Sequence, residues 1–140
     1  MSISNQSTVR RTPKGSLLLR TLAMPADTNA NGDIFGGWIM SQLDLAGGML
    51  AKEIARGRVV TISVSEIVFK EPVDVGDVVC CYGECTRVGR TSMTISLEVW
   101  IKGYLDVETS KRHNVCEALF NYVAIDENGR PRPVYPDLET

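Results

Sequence analysis

Apolar and polar residues alternate along much of the chain, which is the pattern of strands that bury one face. The clearest case is residues 92–101, where every second residue from Met93 to Ile101 is apolar. Three other segments have the composition of strands, residues 59–69, 78–88 and 114–125, and the short apolar run at residues 17–23 is a candidate first strand. The chain is therefore predicted to contain five strands.

Residues 37–56 have a different spacing. Apolar residues recur there every three or four positions, which predicts a helix that Gly57 ends. Further apolar residues on its other sides predict a helix buried nearly all round in its first turns, with Trp38, Met40, Leu45 and Met49. The order β-α-β-β-β-β, with meandering strands after the helix, predicts an α+β fold in which an antiparallel sheet wraps around one long central helix.

The length of 140 residues fits one compact domain with a core of its own. We place that domain at residues 15–133. The polar residues 1–14 are predicted to form a flexible N-terminal tail, and residues 134–140 a C-terminal tail.

Charge and hydropathy exclude some classes of partner. Fifteen Lys and Arg against 17 Asp and Glu give a net charge of −2, which argues against nucleic acid. The longest stretch with a single charge, residues 34–51, contains four glycines, so no membrane span is predicted. Without an export signal at the N-terminus, we expect a cytoplasmic protein with four reduced cysteines.

Common catalytic motifs are missing from the sequence. The one histidine, His113, falls in the charged segment 106–113, which is predicted to be a loop. Residues 27–32 resemble the first half of a calcium loop, but its twelfth position is Trp38 where a glutamate ligand is required. We therefore predict no metal and no cofactor.

Asp44 is the first candidate for chemistry, because it is the only charged residue between Asp33 and Lys52. It lies in the predicted helix, where a buried carboxylate is costly. Small residues share its helical face, among them Gly37, Gly47 and Gly48. They leave room for a substrate or let a second backbone pack there, as at a dimer interface, and the two interpretations are compatible.

The glycine pair at the helix start is the second candidate. Gly36 and Gly37 leave backbone N–H groups open, which suits binding of a carbonyl oxygen. Asn31 and Asp33 precede them and are candidates to cap the helix or hold a water. Gly37 lies seven residues before Asp44, about 10 Å along a helix axis, so we expect two subunits to share one site.

These residues carry a family resemblance. Residues 24–44, Met-Pro-Ala-Asp-Thr-Asn-Ala-Asn-Gly-Asp-Ile-Phe-Gly-Gly-Trp-Ile-Met-Ser-Gln-Leu-Asp, resemble the signature of the YciA-type bacterial acyl-CoA thioesterases, and residues 57–61 and 72–82 are also similar to that family. The resemblance implies a hotdog fold and hydrolysis of acyl-CoA thioesters to free CoA and a carboxylate. It also implies a homo-oligomer, commonly a hexameric trimer of dimers, with active sites at dimer interfaces.

The resemblance also implies roles for particular residues. Asp44 matches the catalytic acid, either as general base on water or as nucleophile through a mixed anhydride. Asn31, Asp33 and Gly37 match the elements that face the carbonyl. Separately, because CoA carries several negative charges, we predict contacts to its nucleotide at Gly89, Arg90, Thr91 and Ser92, with Arg58, Arg130 or Lys70 as further basic candidates. A dehydratase of the same fold is disfavoured because His113 lies in the wrong segment. The remaining alternative is a non-catalytic acyl-CoA-binding sensor or assembly module.

Overall fold

The computed structural model describes residues 12–102 and 112–135, which form one sheet and one long helix. In chain order the elements are β1 (Ser16–Leu22), a 3-10 turn (Pro25–Asp27), α1 (Gly36–Ala55), β2 (Val59–Phe69), β3 (Val78–Val88), β4 (Ser92–Lys102) and β5 (His113–Ala124). The predicted order of one strand, one helix and four strands is confirmed.

The five strands form one antiparallel sheet in the order β1-β3-β4-β5-β2. Strands β3, β4 and β5 follow one another as a meander. The prediction that all four later strands meander is wrong for β2, which pairs with β5 at the far edge of the sheet. Alternation of side chains sets which face of a strand is buried, but it does not choose the neighbour of that strand.

The core lies between α1 and one face of the sheet. On the helix, Leu43, Ala46 and Ala51 are fully buried, and from the sheet Ile95 and Val99 meet them. The prediction that the helix is buried nearly all round is wrong for the single chain. Leu45 is 54% exposed, and Met40 and Met49 are also exposed, because the sheet covers only one side of the helix.

Both ends of α1 differ slightly from the prediction. The helix begins at Gly36, one residue early, after Phe35 as the N-cap residue. At the other end the left-handed residue is Arg56, with φ 56° and ψ 44°, rather than a glycine. Gly57 follows it, and a Cβ there would lie 2.5 Å from the Arg132 guanidinium, so the Arg132 side chain packs against this glycine.

The predicted tails and the loop at 106–113 fall mostly outside the described residues. At the boundaries that are described, the Lys14 N–H donates to Glu98 Oε1 at 3.3 Å. Val134 is buried, and its N–H donates to the Arg90 carbonyl at 2.8 Å. His113, which the sequence placed in the loop, is the exposed first residue of β5.

Candidate functional site

Asp44 lies midway along α1, where two strands reach it with hydroxyl groups. Thr61 Oγ1 on β2 donates to Asp44 Oδ1 at 2.6 Å. The Tyr122 hydroxyl on β5 donates to the Asp44 backbone oxygen at 3.0 Å and to Oδ1 at 3.2 Å. The carboxylate is half-buried rather than buried as expected, since the sheet lies on only one side of it.

The two carboxylate oxygens of Asp44 differ in their surroundings. Oδ1 accepts from both hydroxyls, whereas Oδ2 accepts no hydrogen bond from the residues that the structure describes. Oδ1 is thereby tethered, and Oδ2 is left to meet a water or a substrate.

Register brings the two hydroxyl donors together. Thr61 and Tyr122 are direct cross-strand partners in the β2–β5 ladder. The ladder shifts after Thr61, where Ile62 is an extra residue on β2. A bulge of this kind re-aims neighbouring side chains, and here it lies beside the residue that contacts Asp44.

Tyr122 reaches the helix because Gly47 has no side chain. A Cβ built at Gly47 would overlap the Tyr122 hydroxyl. Burial of the ring and the nearby Asp44 charge raise the pKa of Tyr122 well above its ordinary value, while its hydrogen bond with Thr61 lowers it. The hydroxyl therefore stays protonated and acts as a donor.

The helix start offers open N–H groups, as predicted. Phe35 provides no side-chain cap. The N–H groups of Trp38 and Ile39 donate to the Phe35 carbonyl, which leaves the N–H groups of the two preceding glycines open within the described part of the chain. Aromatic rings flank the glycines: a Cβ at Gly36 would lie 3.4 Å from the Phe69 ring, and one at Gly37 3.2 Å from the Phe35 ring. The start of α1 thus presents backbone donors between apolar walls.

Asn31 and Asp33 do not cap α1. They lie in the preceding loop, which Asn29 organises by accepting the N–H of Asn31 at 2.8 Å and that of Asp33 at 3.1 Å through its side-chain oxygen. The Asn29 N–H in turn donates to the Asp33 carbonyl at 2.7 Å. This compact turn delivers the chain to Phe35 and leaves the exposed Asn31 side chain facing solvent.

The residues predicted to hold the CoA nucleotide meet at the C-terminal end of α1. The Gly89 N–H donates to the Ser92 carbonyl at 2.8 Å and closes the β3–β4 hairpin, and the Thr91 carbonyl accepts from Ala124. Val134 bonds to the Arg90 backbone and also lines a cavity of about 600 Å³ with Arg58. The structure therefore brings the hairpin and Arg58 to one end of the molecule.

That cavity carries both signs of charge. Arg56, Arg58 and Arg132 line it together with Asp126 and Glu127. The N–H groups of Arg130 and Asn128 lower the pKa of Asp126, and the charges of Arg132 and Arg58 add to this effect. Asp126 thus stays ionised and offsets part of the positive charge.

Other chemistries find little support in the described part of the chain. Burial raises the pKa of the Cys81 and Cys116 thiols to about 12 each, so they remain protonated. Within residues 12–102 and 112–135, no three His, Cys, Asp or Glu side chains are grouped as metal ligands. Over the same residues, no helix has the length and apolarity to cross a bilayer.

Comparison with known proteins identifies the family. The thioesterase superfamily model matches residues 31–106. The acyl-CoA thioester hydrolase YciA of Salmonella typhimurium is 59% identical over 128 residues, 91% of this chain and 96% of that protein. This chain belongs to the YciA-type acyl-CoA thioesterases. The family resemblance found in the sequence is thereby confirmed.

Solved structures of family members establish the fold. A hexameric broad-specificity acyl-coenzyme A thioesterase, HI0827, superposes with a TM-score of 0.83 at 59% identity, covering 89% of this chain and 84% of that one. A hexameric hotdog fold thioesterase of Campylobacter jejuni gives a TM-score of 0.82 at 43% identity, covering 89% and 94%. The fold of this family member is the hotdog fold, as predicted.

Sequence reasoning missed two residues that contact Asp44, Thr61 and Tyr122. One signal was available for Tyr122, since it falls on the inward-facing side of an alternating strand and carries a hydroxyl that needs a partner there. Nothing in the sequence shows that the partner is Asp44, because the pairing depends on how α1 crosses the sheet.

Proposed function

We propose that this YciA-type protein hydrolyses acyl-CoA thioesters to free CoA and a carboxylate, with Asp44 as the catalytic residue. The observation that carries the proposal is a carboxylate whose Oδ1 is held by Thr61 and Tyr122 while Oδ2 stays open. Family membership supports the same reaction, since its relatives are named acyl-CoA thioester hydrolases.

Asp44 has two routes to the same products. As a general base, Oδ2 takes a proton from water while the water oxygen attacks the thioester carbon. As a nucleophile, Oδ2 attacks that carbon itself and forms a mixed anhydride, which water then hydrolyses. In both routes the carbon–sulfur bond breaks, the electron pair leaves with the CoA sulfur, and a proton restores the thiol.

The N–H group of Gly37 stabilises the oxyanion that forms on the thioester carbonyl in either route. An open N–H at a helix start carries partial positive charge and needs no reorganisation during the reaction. Asn31 and Asp33 belong to the loop that shapes this end of the site. Their proposed role is to border the carbonyl subsite, through the turn that Asn29 holds.

One chain does not bring these groups together, so we propose that two subunits share each site. Gly37 and Asp44 lie about 10 Å apart along one helix axis. Exposed apolar side chains on α1 and on the edge strand β2 support pairing with a second copy, among them Leu45, Met49, Val60 and Ile62. A hexamer, the state of the HI0827 and Campylobacter jejuni proteins, is the proposed assembly.

The CoA nucleotide is proposed to bind at the C-terminal end of α1. Arg58 and the backbone of the hairpin residues Gly89, Arg90, Thr91 and Ser92 meet there, beside the cavity. Ala55 lies eleven residues after Asp44, about 16 Å along the helix axis. An extended pantetheine arm bridges a separation of that order. The cytoplasmic location stays a prediction.

A non-catalytic acyl-CoA sensor is the competing function. A pocket for an apolar acyl chain has no use for a carboxylate tethered at one oxygen and open at the other. Binding of acyl-CoA without release of thiol would favour the sensor.

Thiol release from short, medium and long acyl-CoAs tests the proposal. Asp44→Asn keeps the shape of the side chain and removes its charge, so we expect turnover to fall by about 10²- to 10⁴-fold. Glu53→Gln is the matched control, because it makes the same change at an exposed position of the same helix. If the unmodified protein binds acyl-CoA but turns over none of the substrates, the proposed hydrolase function is wrong and the sensor function takes its place.

A further inference from the structure

The Tyr122 side chain approaches Asp44 at a point where α1 contains a glycine, and glycine lowers the stability of a helix. Its hydroxyl lies beside α1, where any residue larger than glycine at position 47 would displace it. Glycine inside a helix is less favourable than alanine. A second glycine follows at Gly48, so this part of α1 has a low intrinsic helix propensity and depends on tertiary contacts for its stability.

The contact that Gly47 permits is directed at Asp44. The hydroxyl has one proton and two acceptors within reach, the Asp44 backbone oxygen at 3.0 Å and Oδ1 at 3.2 Å. The hydroxyl thus lies between the main chain and the side chain of the same residue, within hydrogen-bond distance of both. Thr61 donates to the same oxygen, Oδ1, at 2.6 Å, so both hydroxyls lie on one side of the carboxylate and Oδ2 is on the other.

The tyrosine itself is rigidly placed. Its side chain is 1% exposed, and its ring stacks on that of Phe120 with centroids 6.3 Å apart. It stands opposite Met93 on β4 and Thr61 on β2, so strands pair with β5 on both sides of it. Burial and the Asp44 charge raise the pKa of this hydroxyl, so it remains protonated and able to donate.

We infer that Tyr122 is a positioning residue for Asp44: together with Thr61 it holds Oδ1, and this aims Oδ2 at the thioester or its water. The inference rests on the proposed function and adds to it a residue that never touches the substrate. Its effect is expected on the chemical step, because Tyr122 contacts Asp44 and does not line the cavity proposed for the CoA nucleotide.

Tyr122→Phe tests the inference by removing only the hydroxyl. We expect kcat for acyl-CoA hydrolysis to fall by about 10- to 100-fold, the effect of a lost hydrogen bond to a charged group, with KM changed less than about twofold. Tyr82→Phe is the matched control, since Tyr82 is a buried tyrosine on β3 whose hydroxyl bonds to Arg112. It is expected to keep the unmodified kcat and KM.

A second variant displaces the hydroxyl without deleting it. Gly47→Ala places a methyl group where the hydroxyl lies, so kcat is again expected to fall. In the Tyr122→Phe background, Gly47→Ala should lower the melting temperature less than it does in the unmodified protein, because the clashing oxygen is gone. This comparison of melting temperatures tests the geometry without using activity.

The outcomes separate the two proposals. If the unmodified protein turns over acyl-CoA and Asp44→Asn does not, while Tyr122→Phe keeps full kcat or raises only KM, the positioning role is overturned and the hydrolase stands. If the unmodified protein releases no thiol, the proposed function is overturned and the positioning role with it. Equal losses in Tyr122→Phe and Tyr82→Phe would also overturn the positioning role.

Discussion

At the residue scale, Arg58 and Asp126 are far apart in the sequence but close in the folded chain. They are 68 positions apart in the sequence, yet they line the same cavity, and the Arg58 charge helps to keep Asp126 ionised. Arg58 is exposed at the start of β2, where β2 pairs with the end of β5. A guanidinium in this place is suited to a phosphate, since it presents several donors in a fixed plane.

Arg58→Gln tests the proposed nucleotide site. Loss of a charge-assisted hydrogen bond is expected to raise KM for acyl-CoA by about tenfold or more and leave kcat unchanged, because the phosphates are far from the reacting carbon. Steady-state kinetics with one acyl-CoA measures both constants. Arg20→Gln removes the same charge from an exposed position on β1 and serves as control. An equal rise in KM for both variants would indicate a general charge effect and no site at Arg58.

At the element scale, α1 is contacted at two places by side chains from outside the helix. Tyr122 contacts it beside Gly47, and Arg132 contacts it at the C-terminal end. The Arg132 guanidinium donates to the carbonyl of Ala55 at 2.8 Å, and also to those of Pro133 and Ile125. A cation at the negative end of a helix is favourable, and here it also satisfies backbone acceptors.

Arg132→Met should lower the free energy of unfolding by about 1–3 kcal/mol, because it leaves these carbonyls without a charged donor while keeping much of the apolar stem. Urea unfolding followed by circular dichroism measures the change. The neighbouring Arg130→Met removes the same charge from an exposed residue of the turn, and we expect it to cost much less. Equal costs for the two variants would contradict the role of Arg132 as a helix cap.

At the scale of the whole molecule, the single chain is incomplete on one side. Edge strands in monomeric proteins are usually short or protected by charge, because their open hydrogen-bonding groups recruit other strands. Strand β2 is an edge of eleven residues with the exposed apolar side chains Val60, Ile62, Val68 and Phe69. The exposed residues Met40, Leu45 and Met49 on α1 add to this unpaired apolar surface.

Ile62→Glu tests whether β2 is the edge at which subunits pair. A buried charge without a partner in the interface is expected to split the assembly and to abolish thiol release, since each proposed site needs two subunits. Light scattering coupled to gel filtration gives the mass of the species. Leu17→Glu makes the matching change at the opposite edge of the sheet, on β1. If only Leu17→Glu dissociates the assembly, the subunits pair through β1 instead of β2. An Ile62→Glu monomer that still releases thiol would contradict the proposal that two subunits share each site.

The sequence by itself determined the elements and the family. Strand bounds at 59–69 and 78–88 agree with the structure to the residue, because alternation and β-branched composition mark them and turn residues flank them. The helix was placed within one residue at each end, since its three-to-four spacing begins and stops sharply. The sequence also indicated the glycine pair at the helix start and Asp44 as candidates for chemistry, because both are unusual features of one short segment.

Tertiary structure alone decided which residues surround these groups. The neighbour of β2 and the half-burial of Asp44 depend on contacts between distant segments. The same holds for Tyr122, which lies 78 positions from Asp44 and reaches it only because α1 crosses β5 at a glycine. Local patterns encode the periodicity of single elements, whereas such pairings arise from packing one element against another.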